Sequence, residues 1–295
     1  MTIVLALSAS IFIGFSDFLG GIVSRTRSPL ETSLVVFLAA LVTLVPIAIL
    51  LGASDLTVHD LGLGAVSGLT TSIAYVGFFA AIGHGRISIV APISAAVTAL
   101  LPAITGIAEG STLSTIARYG ILCAFLAIPL VAYETGDGDA VGGDRSGDHD
   151  PGGGDADWST TRQAIVSILC GVGFGFYFIC IGHTHRSSGL WPTVATLVVG
   201  IAVTAALAAR GGVMPSLASL SRLAVAGGVA LGVADSTLTT ALQRGPLTVA
   251  SVLGNLYPLV TIALGVTILS ERVRLWHAAG ILLAAAGVAM IAAGQ

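Results

Sequence analysis

The chain contains no lysine; all twelve of its basic residues are arginines. That absence excludes a Gly-Lys phosphate-binding loop, and it excludes a pyridoxal or retinal Schiff base, each of which needs a lysine amine. Direct drive by ATP from within the chain is thereby set aside. Charge of either sign is scarce: 9% of residues are charged, against 55% hydrophobic and a mean hydropathy of +0.98, far from the mixture of a soluble domain. Little of such a chain can face water. No basic patch is present, and much of the acid is confined to one central segment, so the net charge of -3 points to no nucleic-acid partner. Cysteine is limited to Cys123, Cys170 and Cys180, all inside apolar stretches, a pattern of small packed residues and not of a disulfide framework. No basic residue precedes Arg25, and the apolar run from Ile3 to Val23 is too long for the core of a signal peptide, so it reads as a retained helix.

What the chain does have is apolar length. A hydrocarbon core about 30 Å thick needs about 20 apolar residues in a helix. Ten stretches meet that ruler. The first five run Thr2 to Val23, Ser33 to Leu51, Leu61 to Ile82, Ser88 to Ala108 and Ile116 to Tyr133. The second five run Gln163 to Ile181, Pro192 to Ala209, Leu223 to Leu242, Leu247 to Leu269 and Trp276 to Ala293. Short links with turn-forming residues, such as Ser28-Pro29, Gly83-His84-Gly85 and Gly211-Gly212, join them into hairpins.

The second group repeats the first at an offset of 160 residues: Ser28 falls on Ser188, Gly68 on Gly228, Gly85 on Gly245, and Gly120-Ile121-Leu122 on Gly280-Ile281-Leu282. Five crossings are odd, so the copy must start inverted, the construction used by many secondary transporters. The expected fold is an all-α integral membrane protein of ten transmembrane helices in two inverted five-helix repeats. The expected domains are residues 1–133, a flexible acidic linker 134–160 rich in Gly and Asp, and residues 161–295. The Asp spacing of the linker matches no EF-hand loop.

The ends of the fourth and ninth stretches read Ala108-Glu109-Gly110 and Leu269-Ser270-Glu271-Arg272, each followed by a polar turn and a Gly-rich last helix. With ten helices in inverted halves, the chain resembles the EamA-like drug/metabolite transporters. The resemblance implies a secondary carrier that exports or exchanges small metabolites or drugs, with proton drive in some members. It also implies both termini in the cytoplasm, whereas most arginines, Arg25, Arg27 and Arg86 among them, fall on the side opposite the termini and place those termini outside. The resemblance takes precedence, because inverted halves blur the charge bias. A multi-pass protein of the bacterial plasma membrane, in contact with lipid and a small-molecule substrate, is the expectation; oligomeric state stays open.

Two acids lie within apolar stretches, where an ionised Asp at mid-membrane costs about 2.5 to 3.5 kcal/mol and so faces a cavity or a partner. Asp235 sits near the middle of its stretch in Asp235-Ser236-Thr237, and Asp17 in Gly14-Phe15-Ser16-Asp17. At the offset, Asp17 falls on Tyr177 and Asp235 on Tyr75. If the first, third, sixth and eighth helices line one cavity, as the resemblance implies, two acids and two phenols face it. Such a set can bind an ammonium group and exchange protons, which makes Asp235 and Asp17 the candidates for proton coupling.

Pro258 cannot bond to the carbonyl of Gly254, which leaves that oxygen free beside Asn255 and Tyr257; Pro102 frees the carbonyl of Thr98 in the same way. Asn255 and Thr98 therefore join Asp17, Tyr75, Tyr177 and Asp235 as candidate substrate-binding residues. Gly171, Gly173 and Gly175 read as helix packing, since no strand precedes them. His183 and His185 read as an interfacial loop without a third metal ligand nearby. No cofactor and no metal are expected. The rival classes are a membrane-embedded enzyme with Asp17 and Asp235 as a catalytic pair, and a non-transporting sensor. Gly232-Val233-Ala234-Asp235 lacks the Gly-x-Gly-Asp pattern of intramembrane aspartyl proteases, and the short loops leave little room for a signalling domain.

Overall fold

A computed structural model of the protein describes residues 1–108, 114–132, 158–212, 221–245, 247–268 and 275–293. The acidic linker up to residue 157, Glu109 and Glu271 lie outside the described residues. The described residues form α-helices and one 3-10 turn at Arg186–Ser188, with no strand among them. The helices are α1 (Thr2–Ser24), α2 (Pro29–Leu51), α3 (Val58–Gly83), α4 (Ile87–Ala108), α5 (Thr115–Ala132) and α6 (Thr160–Gly182). They continue with α7 (Trp191–Arg210), α8 (Arg222–Arg244), α9 (Leu247–Gly254), α10 (Tyr257–Ile268) and α11 (Leu275–Ala293).

Local chemistry sets the ends. Thr57 and Ser159 accept from the backbone N–H groups of Asp60 and Arg162, capping α3 and α6 where four N–H groups would otherwise lack partners. Pro29 opens α2 and Pro192 lies in the first turn of α7, positions where a missing N–H costs nothing. Gly52, with φ at +70°, ends α2 in a conformation that a side chain would resist.

Helices α1, α2, α3, α6, α7 and α8 are each long and apolar enough to cross a membrane, and α4, α10 and α11 contain shorter apolar runs. Large hydrophobic side chains lie on the outer faces, with Leu50 at 85% and Val42 at 73% exposure, a surface that only lipid can cover favourably. Inside, where no water competes, hydroxyls turn back to their own helices, as with Thr43 on the carbonyl of Ala39 and Thr240 on that of Ser236.

The expected ninth helix is not one kinked rod but two helices. Pro258 offers no N–H to Gly254, Leu256 bonds instead to the carbonyl of Leu253 at 3.3 Å, and α10 starts afresh at Tyr257 with Pro258 in its first turn. By contrast α4 stays continuous through Pro92 and Pro102.

Packing runs between the N-terminal and C-terminal helices: α1 on α8, α3 on α6 and α7, α2 on α8 and α7, α4 on α6, and α5 on α11. Glycine permits the closest of these approaches. A Cβ at Gly64 or Gly68 of α3 would overlap the backbone of Pro192 or Thr196 in α7, and one at Gly228 or Gly232 of α8 would run into the carbonyls of Val36 or Ala40 in α2. Ser67 and Thr196 are hydrogen-bonded at 2.7 Å across the same α3–α7 contact, and Thr193 of α7 is joined to Thr239 of α8 at 2.7 Å.

Candidate functional site

At the meeting of α1, α2, α3, α4, α6, α7, α8 and α10 lies a central cavity of about 50 Å³, where a single water needs about 10–15 Å³. It has room for a few waters or a small polar group. Asp17, Tyr75, Thr98, Tyr177 and Asp235 all line it, so five of the six residues proposed from sequence are brought together. None of the described lining residues is basic.

The two acids are held differently. Asp235 on α8 accepts a hydrogen bond from the Tyr177 hydroxyl of α6 at 3.3 Å. Asp17 on α1 is 3% exposed, and its Oδ1 finds no protein partner. Thr71 on α3 also lines the cavity with an unpartnered hydroxyl. Groups of this kind are costly in a desolvated site unless something else satisfies them.

Aromatic rings form the other wall. Tyr75 is packed edge-on by Phe37 at 5.3 Å and Phe174 at 4.9 Å between ring centroids, and Phe178 meets Tyr177 at 5.9 Å. Phe37, Phe174 and Phe178 line the cavity with Tyr257, whose hydroxyl lies 3.3 Å from Ser94 Oγ. The sequence expectation names none of Phe37, Phe174 and Phe178, and Tyr257 only as a neighbour of the Gly254 carbonyl. Phe174 was hidden inside the Gly171-Gly173-Gly175 run, whose glycines serve packing: a Cβ at Gly171 would lie 2.6 Å from the carbonyl of Ser94, and one at Gly173 2.7 Å from Ala74 Cβ. Those close approaches of α6 to α4 and α3 turn the intervening ring to the cavity.

Thr98 reaches the cavity by its side chain, although its hydroxyl is already donated to the carbonyls of Ser94 at 2.7 Å and Gly171 at 3.2 Å. Asn255 does not reach it. It lines a separate space of about 20 Å³ between α4, the α9–α10 break and α11, donating to the carbonyl of Ser251 at 2.8 Å while its Oδ1 has no protein partner. The break that frees Asn255 also turns it away from the acids. His185 lies in the connection between α6 and α7, where Asp60 and His59 at the start of α3 lie against it and supply neighbours that the local sequence lacks. His183 is held apart, with Nδ1 2.7 Å from the carbonyl of Ile179.

A profile of the EamA-like transporter family matches residues 1–133 and 161–293, nearly the whole chain. The chain belongs to the EamA-like transporter family. Membership agrees with an integral multi-pass membrane protein that handles small molecules in a lipid environment. No curated protein matches the chain. Among solved structures, a crystal structure of a protein 14% identical to this chain superposes with a TM-score of 0.66, covering 97% of this chain and 95% of the other. At that identity the likeness speaks for the fold alone. The two matched segments leave out the acidic stretch between them.

Proposed function

We propose that this EamA-like protein is a secondary carrier that exports or exchanges a small organic cation across the bacterial plasma membrane, with Asp235 and Asp17 taking part in proton coupling. The observation that carries this reading is the central cavity, where two intramembrane acids face aromatic rings and no basic side chain from the described residues. A cation is attracted both by carboxylate and by the faces of aromatic rings, and such a wall repels anions. The cavity is small in this conformation, so the substrate is a compact amine or a larger cation admitted as the site opens. Thr98 and the Tyr75 and Tyr177 phenols complete the binding set, and Asn255 belongs to the α9–α10 break.

Alternating access follows from reading the chain as ten crossings in two inverted repeats, residues 1–133 and 161–295, with α9 and α10 forming one broken crossing and 134–160 a tether. The packing supports this. A shift of five crossings exchanges the α1–α8 contact with α3–α6, and α2–α8 with α3–α7. The same shift carries the glycine contact of Gly68 on Thr196 onto that of Gly228 on Val36. It also carries the Tyr177–Asp235 pair onto Asp17 and Tyr75, with acid and phenol interchanged. The first pair is hydrogen-bonded and the second is not. Two equivalent pairs in different states are what a carrier resting in one of two conformations requires.

The test is flux in sealed proteoliposomes, with and without an imposed pH gradient, across a panel of organic cations and amino acids. Gradient-driven cation flux that Asp235→Asn abolishes, in a variant that purifies normally, is the expected result. Cation flux coupled to protons as strongly in Asp235→Asn as in the parent removes Asp235 from the coupling. Covalent conversion of substrate without net flux points instead to the membrane-embedded enzyme.

A further inference from the structure

The end of the bundle that carries Met1 is closed by two connections pressed together. Ser54 and Asp55, between α2 and α3, donate their backbone N–H groups to the carbonyl of Ser187, between α6 and α7, at 2.9 and 3.2 Å. Ser188 Oγ donates to the carbonyl of Asp55 at 3.2 Å. Gly189, with φ at +55°, lies so close to Gly52 that a Cβ would come within 2.7 Å of its carbonyl oxygen. Beneath this seam Asp60 is fully buried in the first turn of α3. Ser188 Oγ donates to its Oδ2. Nδ1 of His185 lies 3.1 Å from Oδ1 and 3.2 Å from Oδ2, and Nδ1 of His59 lies 3.4 Å from Oδ1.

The geometry points to a binding site for a divalent transition metal of the zinc class, formed by His59, Asp60 and His185, that clasps the α2–α3 connection to the α6–α7 connection. Two imidazole nitrogens and one carboxylate oxygen are a donor set that zinc takes in three-ligand sites, with a fourth position left to water. The spacing fits. Ligand atoms bound tetrahedrally at about 2.0–2.1 Å stand about 3.3 Å apart, and the two nitrogens lie 3.1 and 3.4 Å from the same carboxylate oxygen. The three donor atoms all lie within 4.8 Å of one another. One oxygen approached by two imidazoles is more than a single His–Asp hydrogen bond needs, and replacing both intervening protons by one ion satisfies all three groups.

The supporting contacts are of the kind that hold metal ligands in place. Ser188 fixes the second carboxylate oxygen, as outer hydrogen bonds orient ligating carboxylates. The Thr57 cap holds the Asp60 backbone at 3.1 Å. The rings of His59 and His185 are 66% and 64% exposed, so an ion has access and the rings have freedom to bring their nitrogens together. Because Asp60 and His59 belong to α3 while His185 follows α6, a bound ion ties together segments from the two family-matched parts of the chain.

The site is tested by metal binding alone, independently of any transport activity. The full-length protein is purified in detergent through a tag free of histidine and titrated with Zn²⁺ against a chromophoric chelator. One site per chain is expected, weakened about tenfold or more by His59→Ala and by His185→Ala but unchanged by His183→Ala or by His149→Ala in the acidic linker. Co²⁺ added to the unaltered protein should give the intense visible bands of tetrahedral coordination, a readout that needs no variant to fold. No Zn²⁺ binding, binding that survives both His59→Ala and His185→Ala, or only the weak spectrum of hydrated Co²⁺ would each overturn the proposal.

Discussion

Gly62 and Gly68 stand on the same helix, α3, and differ in what lies above their Cα atoms. A Cβ at Gly62 meets nothing within 4 Å, whereas one at Gly68 overlaps the Thr196 carbonyl and comes to 3.0 Å of Thr196 Cα and Val199 Cβ. Substitution by alanine gives both positions the same gain in helix propensity, about 1 kcal/mol, so that gain cancels when the two variants are compared. What remains at Gly68 is overpacking, which costs about 1–3 kcal/mol. The Ser67–Thr196 hydrogen bond at 2.7 Å is strained as the helices part, at a further cost of about 0.6 kcal/mol in a membrane protein. Gly68→Ala is therefore expected to be less stable than Gly62→Ala by about 2–4 kcal/mol, a gap in melting temperature of about 5 °C or more. Thermal unfolding of the two detergent-purified variants at one scan rate, followed by tryptophan fluorescence, measures that gap. If both melt together above the parent, the α3–α7 contact is not the close backbone approach described. Gly228→Ala, which meets the Val36 carbonyl in the equivalent place, should fall with Gly68→Ala.

Two further outcomes separate binding from architecture. Asp17→Asn should keep or raise the melting temperature, because its buried Oδ1 has no protein partner to lose, yet lose affinity for a cationic substrate in equilibrium binding; a destabilised variant with normal affinity would make Asp17 a structural group. Tyr177→Phe should weaken cation binding and change its pH dependence by removing the hydroxyl that Asp235 accepts, whereas Asn255→Ala should leave affinity unchanged, and a loss there equal to that of Tyr177→Phe would place Asn255 in the binding set after all.

Apolar length and the 160-residue offset made the long apolar helices and both acids legible, because an Asp has few reasons to lie inside an apolar stretch. The offset also named the two tyrosines. What it did not reveal was who touches whom: Asp17 and Tyr177 are equivalent positions, but Tyr177 bonds to Asp235. Equivalence is a property of the sequence, and contact depends on how α6 and α8 cross. The aromatic wall was harder to read, since Phe174 lies among glycines that looked like packing and indeed pack, and only the rotation of α6 shows which way the ring between them points. Pro258 announced a disturbance but not its form. A helix that loses one bond can run on, as α4 does through Pro102, or it can stop and restart; the break at Asn255-Leu256 leaves the asparagine buried against α4 and α11, away from the cavity of the acids. The neighbours of His185 were illegible for a simpler reason, since they arrive from another helix far away along the chain.

The distribution of unmet hydrogen bonds around the cavity is uneven. Of the residues that line it, Asp17 on α1 and Thr71 on α3 each bury a polar atom without a protein partner, while Tyr177 on α6 and Asp235 on α8 are bonded to each other. Each orphaned group costs about 1–3 kcal/mol, and the two together amount to a sizeable part of the roughly 5–15 kcal/mol by which a folded domain exceeds its unfolded state. A protein needing only a stable bundle would gain by replacing them with alanine, valine or leucine, of which it has an abundant supply. Their persistence on one side of a cavity whose other side is satisfied argues that the missing partners come and go. Substrate, water and a proton are the species that can do so, and the side left unpaired in this conformation is the side on which they are expected to act.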